Sequence, residues 1–188
     1  MGAVTKKDGV VLASDSSIES SIIKATDYDG KIWADGEYVI GAAGELRTLQ
    51  VVKHFFNLPE FKSYFSYDIE KFLVREVIPP LKEVLREHEV LEVSKKVTSS
   101  SLSLVVGWDK YICLIEENFT VFIPSSKRIA TGSGMAQSLG SLDNKINNKW
   151  TKKDIIRAVI NAQLTAPGVG GNIYMVSTKT PKVIKVHE

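Results

Sequence analysis

The chain has 188 residues, 44% of them hydrophobic and 24% charged, with a formal net charge of +2. That length fits one domain spanning residues 1–188, and a chain of this size buries roughly 70% of its unfolded surface, so neither a disulfide nor a metal staple is required. The near-neutral charge, with Lys6-Lys7, Lys95-Lys96 and Lys152-Lys153 interleaved among acids, argues against a nucleic-acid partner, and no run reaches the roughly 18 apolar residues of a membrane span. Up to about Ala43 the pattern is strand-like. Val10 to Ala13 form a short apolar run, followed by Ile22-Ile23, Lys31-Ile32-Trp33 and Tyr38-Val39-Ile40. Asp8-Gly9, Asp29-Gly30 and Asp35-Gly36 punctuate these runs, and Asp-Gly is a strong hairpin signal because glycine supplies positive φ.

A helical zone follows. Leu46, Leu49, Val52 and Phe55 recur at spacings of three and four between Glu45 and about Asn57. A longer helix, with Ser66 as its cap, would bury Ile69, Phe72, Leu73, Val77, Leu81, Val84, Leu85 and His88. Pro79-Pro80 inside this pattern predicts a kink or break, because proline removes a helical N–H and crowds the preceding turn. The polar stretch from Lys95 to Ser101 reads as a loop.

The last zone returns to strands. Leu102, Leu104, Val106 and Trp108 alternate, as do Tyr111, Cys113 and Ile115, with Asp109-Lys110 as the tight link; Phe119, Val121 and Ile123 extend the sheet. Met135, Leu139, Leu142 and Ile146 repeat at helical spacing. Thr151 to Asp154 is a capping box ahead of Ile155, Ile156, Val159, Ile160 and Leu164. Asn172 to Ser177 and Pro181 to Val186 are strand-like. The order is strands, two helices, strands, two helices, strands. Two antiparallel sheets stacked face to face, with a helix pair on each outer face, bury every element, so the expected class is α+β, a four-layer α-β-β-α sandwich.

In this order and spacing, "KKDGVVLASD", "DGKIW", "VIGAAGE", "IATGSG" and "GVGGNIYMVSTK" resemble the proteasome β-type subunits and their bacterial ATP-dependent relatives. The resemblance implies the N-terminal-nucleophile (Ntn) hydrolase fold, which is the sandwich just described. It also implies a chemistry: a terminal threonine attacks a peptide carbonyl, and its own α-amine, with a pKa near about 8, serves as base. A lysine lowers the pKa of that site and an aspartate holds the lysine. A serine and a second aspartate orient the amine, and a glycine N–H stabilises the oxyanion.

Carried over by residue, Asp15 stands on the first aspartate. Lys31 stands on the lysine, sixteen residues later (15 to 31). Gly44 stands on the oxyanion glycine and Ser133 on the serine. Ala166 occupies the place of the second aspartate, and Val169 that of a second serine. Aligned through Asp15, the threonine would lie two residues before Met1. Trimming of Met1 would leave Gly2, an amine with no side-chain nucleophile. Each residue also has a plainer reading. Asp15 could cap a turn or pair with a lysine, and Lys31 could snorkel along a sheet edge. Gly44 could serve a tight turn before a helix, and Ser133 could be an N-cap.

The resemblance therefore implies a subunit without peptidase activity, acting as a ring-forming, assembly or binding component. Its expected partners are copies of itself, with other proteasome-like subunits or an unfoldase as further candidates. An active hydrolase would need a longer precursor or an unconventional nucleophile such as Ser14 or Ser133; Thr5, inside the first strand, is a poor candidate. Reuse of the cleft for a small-molecule reaction is a third reading. His54, His88 and His187 share no metal-ligand spacing, and Gly168 to Gly171 lacks the Lys-Ser/Thr of a phosphate loop. No cofactor and no metal are expected. The opening is neither a signal peptide nor a myristoylation site, since Lys6 stands where Ser or Thr is required. The lone Cys113 suits a small core residue in a reducing compartment, so the expected location is cytoplasmic.

Overall fold

The computed structural model describes residues 2–5, 7–19, 24–94, 97–143 and 150–186. Met1, Ile22-Ile23, Lys95-Lys96, Ile146 and His187, all used above, lie outside the described residues. Strands β1 (Gly2–Thr5), β2 (Gly9–Asp15), β3 (Ile18–Glu19), β4 (Lys24–Ala25), β5 (Ile32–Asp35) and β6 (Tyr38–Gly44) come first. Helices α1 (Leu46–Phe55), α2 (Ile69–Phe72) and α3 (Ile78–Glu87) follow. Next come β7 (Leu91–Ser94), β8 (Val97–Ser100), β9 (Leu102–Trp108), β10 (Tyr111–Ile115), β11 (Val121–Phe122) and β12 (Arg128–Ile129), then α4 (Met135–Asp143), α5 (Lys152–Thr165), β13 (Ile173–Ser177) and β14 (Thr180–Val186).

Two five-stranded sheets form, in the orders β12-β1-β2-β13-β14 and β11-β10-β9-β6-β5. Every pairing is antiparallel. Asp8-Gly9, Asp35-Gly36 and Asp109-Lys110 close the hairpins they were expected to close, with Thr5 opposite Gly9, Asp35 opposite Tyr38 and Trp108 opposite Tyr111. Asp29-Gly30 instead leads into β5, and β4 pairs with β3.

The side-chain period of two sorts each strand into two cores. Val10 and Leu12 of β2 meet Val39, Val105 and Ile112 of the other sheet in the core between the sheets. Their neighbours Val11 and Ala13 point the opposite way, into a core with Leu142, Trp150, Ile155, Ala158 and Val159 of α4, α5 and the segment between them. In the second sheet, Ile40, Ala42, Leu104, Val106 and Trp108 pack against Leu49, Val52, Phe72, Leu73, Leu81 and Leu85 of the first helical zone. Three cores between four layers are the α-β-β-α sandwich that the element order predicts.

Four local readings change. The longer helix is capped by Asp68, whose carboxylate accepts from Lys71 N at 2.9 Å, so the cap is two residues past Ser66. The chain does not break at Pro79-Pro80. A π turn at Leu73–Val77 precedes α3, closed by Ile78 N–H to Leu73 O, and the prolines fall in the first turn of α3, where a missing N–H costs least. Val97–Ser100, expected as loop, pairs with Leu91–Ser94 as a separate hairpin. Of the Phe119, Val121 and Ile123 extension, only Val121–Phe122 is strand; Phe119 takes φ 66 in the turn before it. The capping box at Thr151 forms as read, Thr151 and Asp154 each bonding the other's backbone N–H.

Cys113 is fully buried on β10, and burial pushes its thiol up to about 12. Thiolate is therefore scarce at neutral pH. Iodoacetamide at mildly alkaline pH should label Cys113 only as fast as the protein unfolds, read by intact mass with and without urea. Leu12, 1% exposed, fills the inter-sheet core. Leu12→Ala should lower the unfolding free energy by about 2–5 kcal/mol in a urea titration.

Candidate active-site cleft

The strand β2 ends at Asp15, and the chain turns immediately. Asp15 Oδ2 accepts the Ser17 N–H at 3.1 Å, an i to i+2 bond that shapes the turn. The same oxygen accepts the Gly170 N–H at 3.1 Å, from the bend before β13. The other oxygen, Oδ1, accepts from Lys31 Nζ at 2.9 Å. Lys31 stands just before β5 in the second sheet, where its carbonyl accepts from Ala42 N at 2.8 Å. The ion pair therefore bridges the sheets. Its side chains are only 19% and 14% exposed, so the pair is largely shielded from water.

Gly44 ends β6 opposite Leu102. Its φ is 141°, and a Cβ there would stand 2.1 Å from Ser101 O, so any side chain is excluded. The Glu45 N–H donates to Ser101 O at 2.8 Å, and α1 starts one residue later. Across from Gly44, the Gly132-Ser133-Gly134 loop leads into α4. A Cβ on Gly132 would lie 3.2 Å from the Ala43 Cβ, which measures how closely the loop meets β6. Ser133 is exposed and Gly134 directly precedes α4, so Ser133 is not its N-cap.

Asp15, Lys31, Gly44 and Ser133 all line one cavity of about 510 Å³. Its inner wall is apolar, with Leu12, Ile32, Ala42, Leu49 and Val105, and its rim carries Glu19, Glu45 and Arg47. A Lys31 ammonium held by Asp15 at such a cleft can stabilise negative charge developing on a bound group, as oriented N–H donors do. Val169 also lines the cavity, while Ala166, the residue after α5, is buried.

In overall structure the chain is similar to the BPH of Thiobacillus denitrificans solved in complex with epoxomicin, at a TM-score of 0.72 and 18% identity, covering 100% of this chain and 98% of that one. It is similar to the eukaryotic HslV of Trypanosoma brucei at 0.61 and 18% identity, over 98% of each chain. It is also similar to Anbu, an ancestral beta-subunit, from Yersinia bercovieri at 0.66 and 15% identity, over 100% of this chain and 86% of that one. This is the proteasome-like Ntn-hydrolase fold. No family model matches the sequence, and a search of curated proteins finds no match.

On this proteasome-like scaffold, the four residues carried over from the resemblance converge on one cleft, and the plain pairing of Asp15 with Lys31 is also present. Ser14, a half-buried neighbour of Asp15, lines the cavity too. Thr5 does not. It sits at the hairpin end of β1, its hydroxyl donating to Gly9 O at 3.2 Å and accepting from Asp8 N at 2.9 Å. His54 is exposed, and the His88 ring lies 4.0 Å from that of Phe55 on the helical face. Among the described residues no three His, Cys, Asp or Glu side chains converge as a metal-binding group.

The backbone donors of Ser17 and Gly170 were missed by reading side chains. The Asp-Ser-Ser run was a usable signal for the first, since Asp favours turns that bond its own backbone two residues on. Gly44→Ala should cost at least about 1–3 kcal/mol of stability from backbone strain and the carbonyl clash. Gly140→Ala, in α4 with nothing within 4 Å of the added Cβ, should be neutral or stabilising. Parallel urea titrations of the two variants check this contrast.

Proposed function

We propose that this chain is a proteasome-like subunit that assembles with copies of itself and does not hydrolyse peptides, serving as a ring-forming, assembly or binding component in the cytoplasm. The observation that carries this reading lies at the end of α5. Ala166 and Val169 supply a methyl and an isopropyl group where the resemblance implies an aspartate and a serine. Neither can orient an attacking amine. Where catalytic residues act as a unit, loss of one removes most of the rate advantage even when the others stay. Among the described residues, Lys31 Nζ has one hydrogen-bond partner, Asp15, and no hydroxyl or thiol. Assembly is supported by the segment around α2, where Tyr64, Tyr67 and Val74, close in sequence, are 65%, 97% and 49% exposed; large apolar side chains left in water along one segment suit an interaction surface. Further proteasome-like subunits or an unfoldase are candidate partners for the same surface.

The intact Asp15–Lys31 pair beside Gly44 favours a second reading, an active hydrolase of the threonine-peptidase type. Its nucleophile would come from a segment ahead of Met1, or from Ser14 or Ser133 in the cavity wall.

Protein purified from its native host should turn over no fluorogenic peptide and gain no mass on incubation with epoxomicin. Its native mass should be a multiple of the chain mass. Turnover together with a covalent adduct would establish the second reading, and a strict monomer would overturn the assembly claim.

A further inference from the structure

We infer that Ser16 is a positioning residue for the Asp15–Lys31 pair and acts through the bend at residues 168–172. The inference rests on the preceding reading only in taking that pair as the charged centre of the cleft.

Ser16 follows Asp15 and is 0% exposed. Its hydroxyl donates to Thr26 O at 2.5 Å and accepts from Asn172 N at 2.7 Å. A serine hydroxyl has one proton and two lone pairs, so it can tie two backbone segments at once. Here it ties the stretch ahead of β5 to the bend ahead of β13. Main-chain bonds run alongside, with Ser16 N donating to Gly170 O at 3.2 Å and Tyr28 N to Ser16 O at 3.1 Å. Gly171 has φ 77°, and a Cβ there would stand 2.1 Å from Thr26 O and 2.5 Å from Ser16 Oγ. The bend thus closes directly onto the serine.

What the bend delivers is the Gly170 N–H, bonded to Asp15 Oδ2. With Ser17 N on the same oxygen and Lys31 on the other, both carboxylate oxygens are committed and the carboxylate plane is fixed. The direction of the Lys31 ammonium follows from that plane. Gly168 and Val169 of the same bend line the cavity, so a group that fills the cleft and shifts the bend also shifts Asp15.

A merely structural role would give the same static picture, and Ser138 separates the two. It is 4% exposed, its hydroxyl donates to a backbone carbonyl (Ala158 O, 3.2 Å), and it lines the same cavity without touching Asp15. Full-length wild-type, Ser16→Ala and Ser138→Ala proteins are treated with trace acetic anhydride at neutral pH. Acetylation of Lys31 is then measured relative to exposed Lys153 by peptide mass spectrometry. Freeing the ammonium from a fixed carboxylate leaves the Lys31 amine more open to the reagent. Ser16→Ala should therefore raise the relative Lys31 rate about fivefold or more, with Ser138→Ala staying within about twofold of wild type. No change in Ser16→Ala, or an equal change in both variants, overturns the proposal. If Ser16→Ala does not fold, amide exchange in the wild-type protein decides: Gly170 N–H should exchange about tenfold or more slowly than an open loop amide, and loop-rate exchange overturns the proposal.

Discussion

Contact between two sheets, each buried on both faces, is the constraint on which the rest of this structure depends. An antiparallel strand normally has one wet face and shows alternating polarity. Here β2 carries Val10, Val11, Leu12 and Ala13 in succession, all at most 1% exposed. Odd and even residues serve different cores, and a register slip of one residue would exchange those cores along the whole strand. The inter-sheet core, with Leu12 against Val39 and Val105, fixes how the sheets face each other. That relation decides that the end of β2 arrives opposite the start of β5.

The cleft is a consequence of this packing. Asp15 leaves one sheet and Lys31 enters the other, and they meet at 2.9 Å. Two largely buried charges are stable only if paired and hydrogen-bonded, and the two backbone N–H groups on Asp15 complete that requirement. Gly44 closes one wall through a backbone approach too tight for a side chain, and the Gly132–Gly134 loop closes another by packing on the side chains of Ala43, Ala162 and Val169. The result is a cavity with apolar residues on its inner wall and the shielded Asp15–Lys31 ion pair bridging its sides.

Much of the scaffold was legible in the residues. Alternation in β9 and β10, the Asp-Gly hairpins and the Thr151–Asp154 box each have a local physical cause that the sequence states directly. The four cleft residues were legible through resemblance, since nothing in a lone aspartate or lysine announces a partner sixteen residues away. What was not legible lies where the signal is not in side-chain type. The β7–β8 hairpin stands apart from both main sheets, with Val93 71% exposed, and the polar Thr98-Ser99-Ser100 sequence carries no apolar alternation, so it reads as loop. The π turn before Pro79 is a backbone adjustment with no residue signature. The N–H groups of Ser17 and Gly170 belong to the main chain, and any non-proline residue could supply them.

The central claim is that the stacked sheets bring Asp15 and Lys31 into a coupled, shielded pair. A double-mutant cycle with Asp15→Asn, Lys31→Met and the double variant, followed by urea unfolding, tests it most directly. The account predicts a coupling of about 1–3 kcal/mol, below that of a fully buried pair because both side chains retain some water contact. A coupling within about 0.3 kcal/mol of zero would mean that the two residues do not sense each other, and would contradict it.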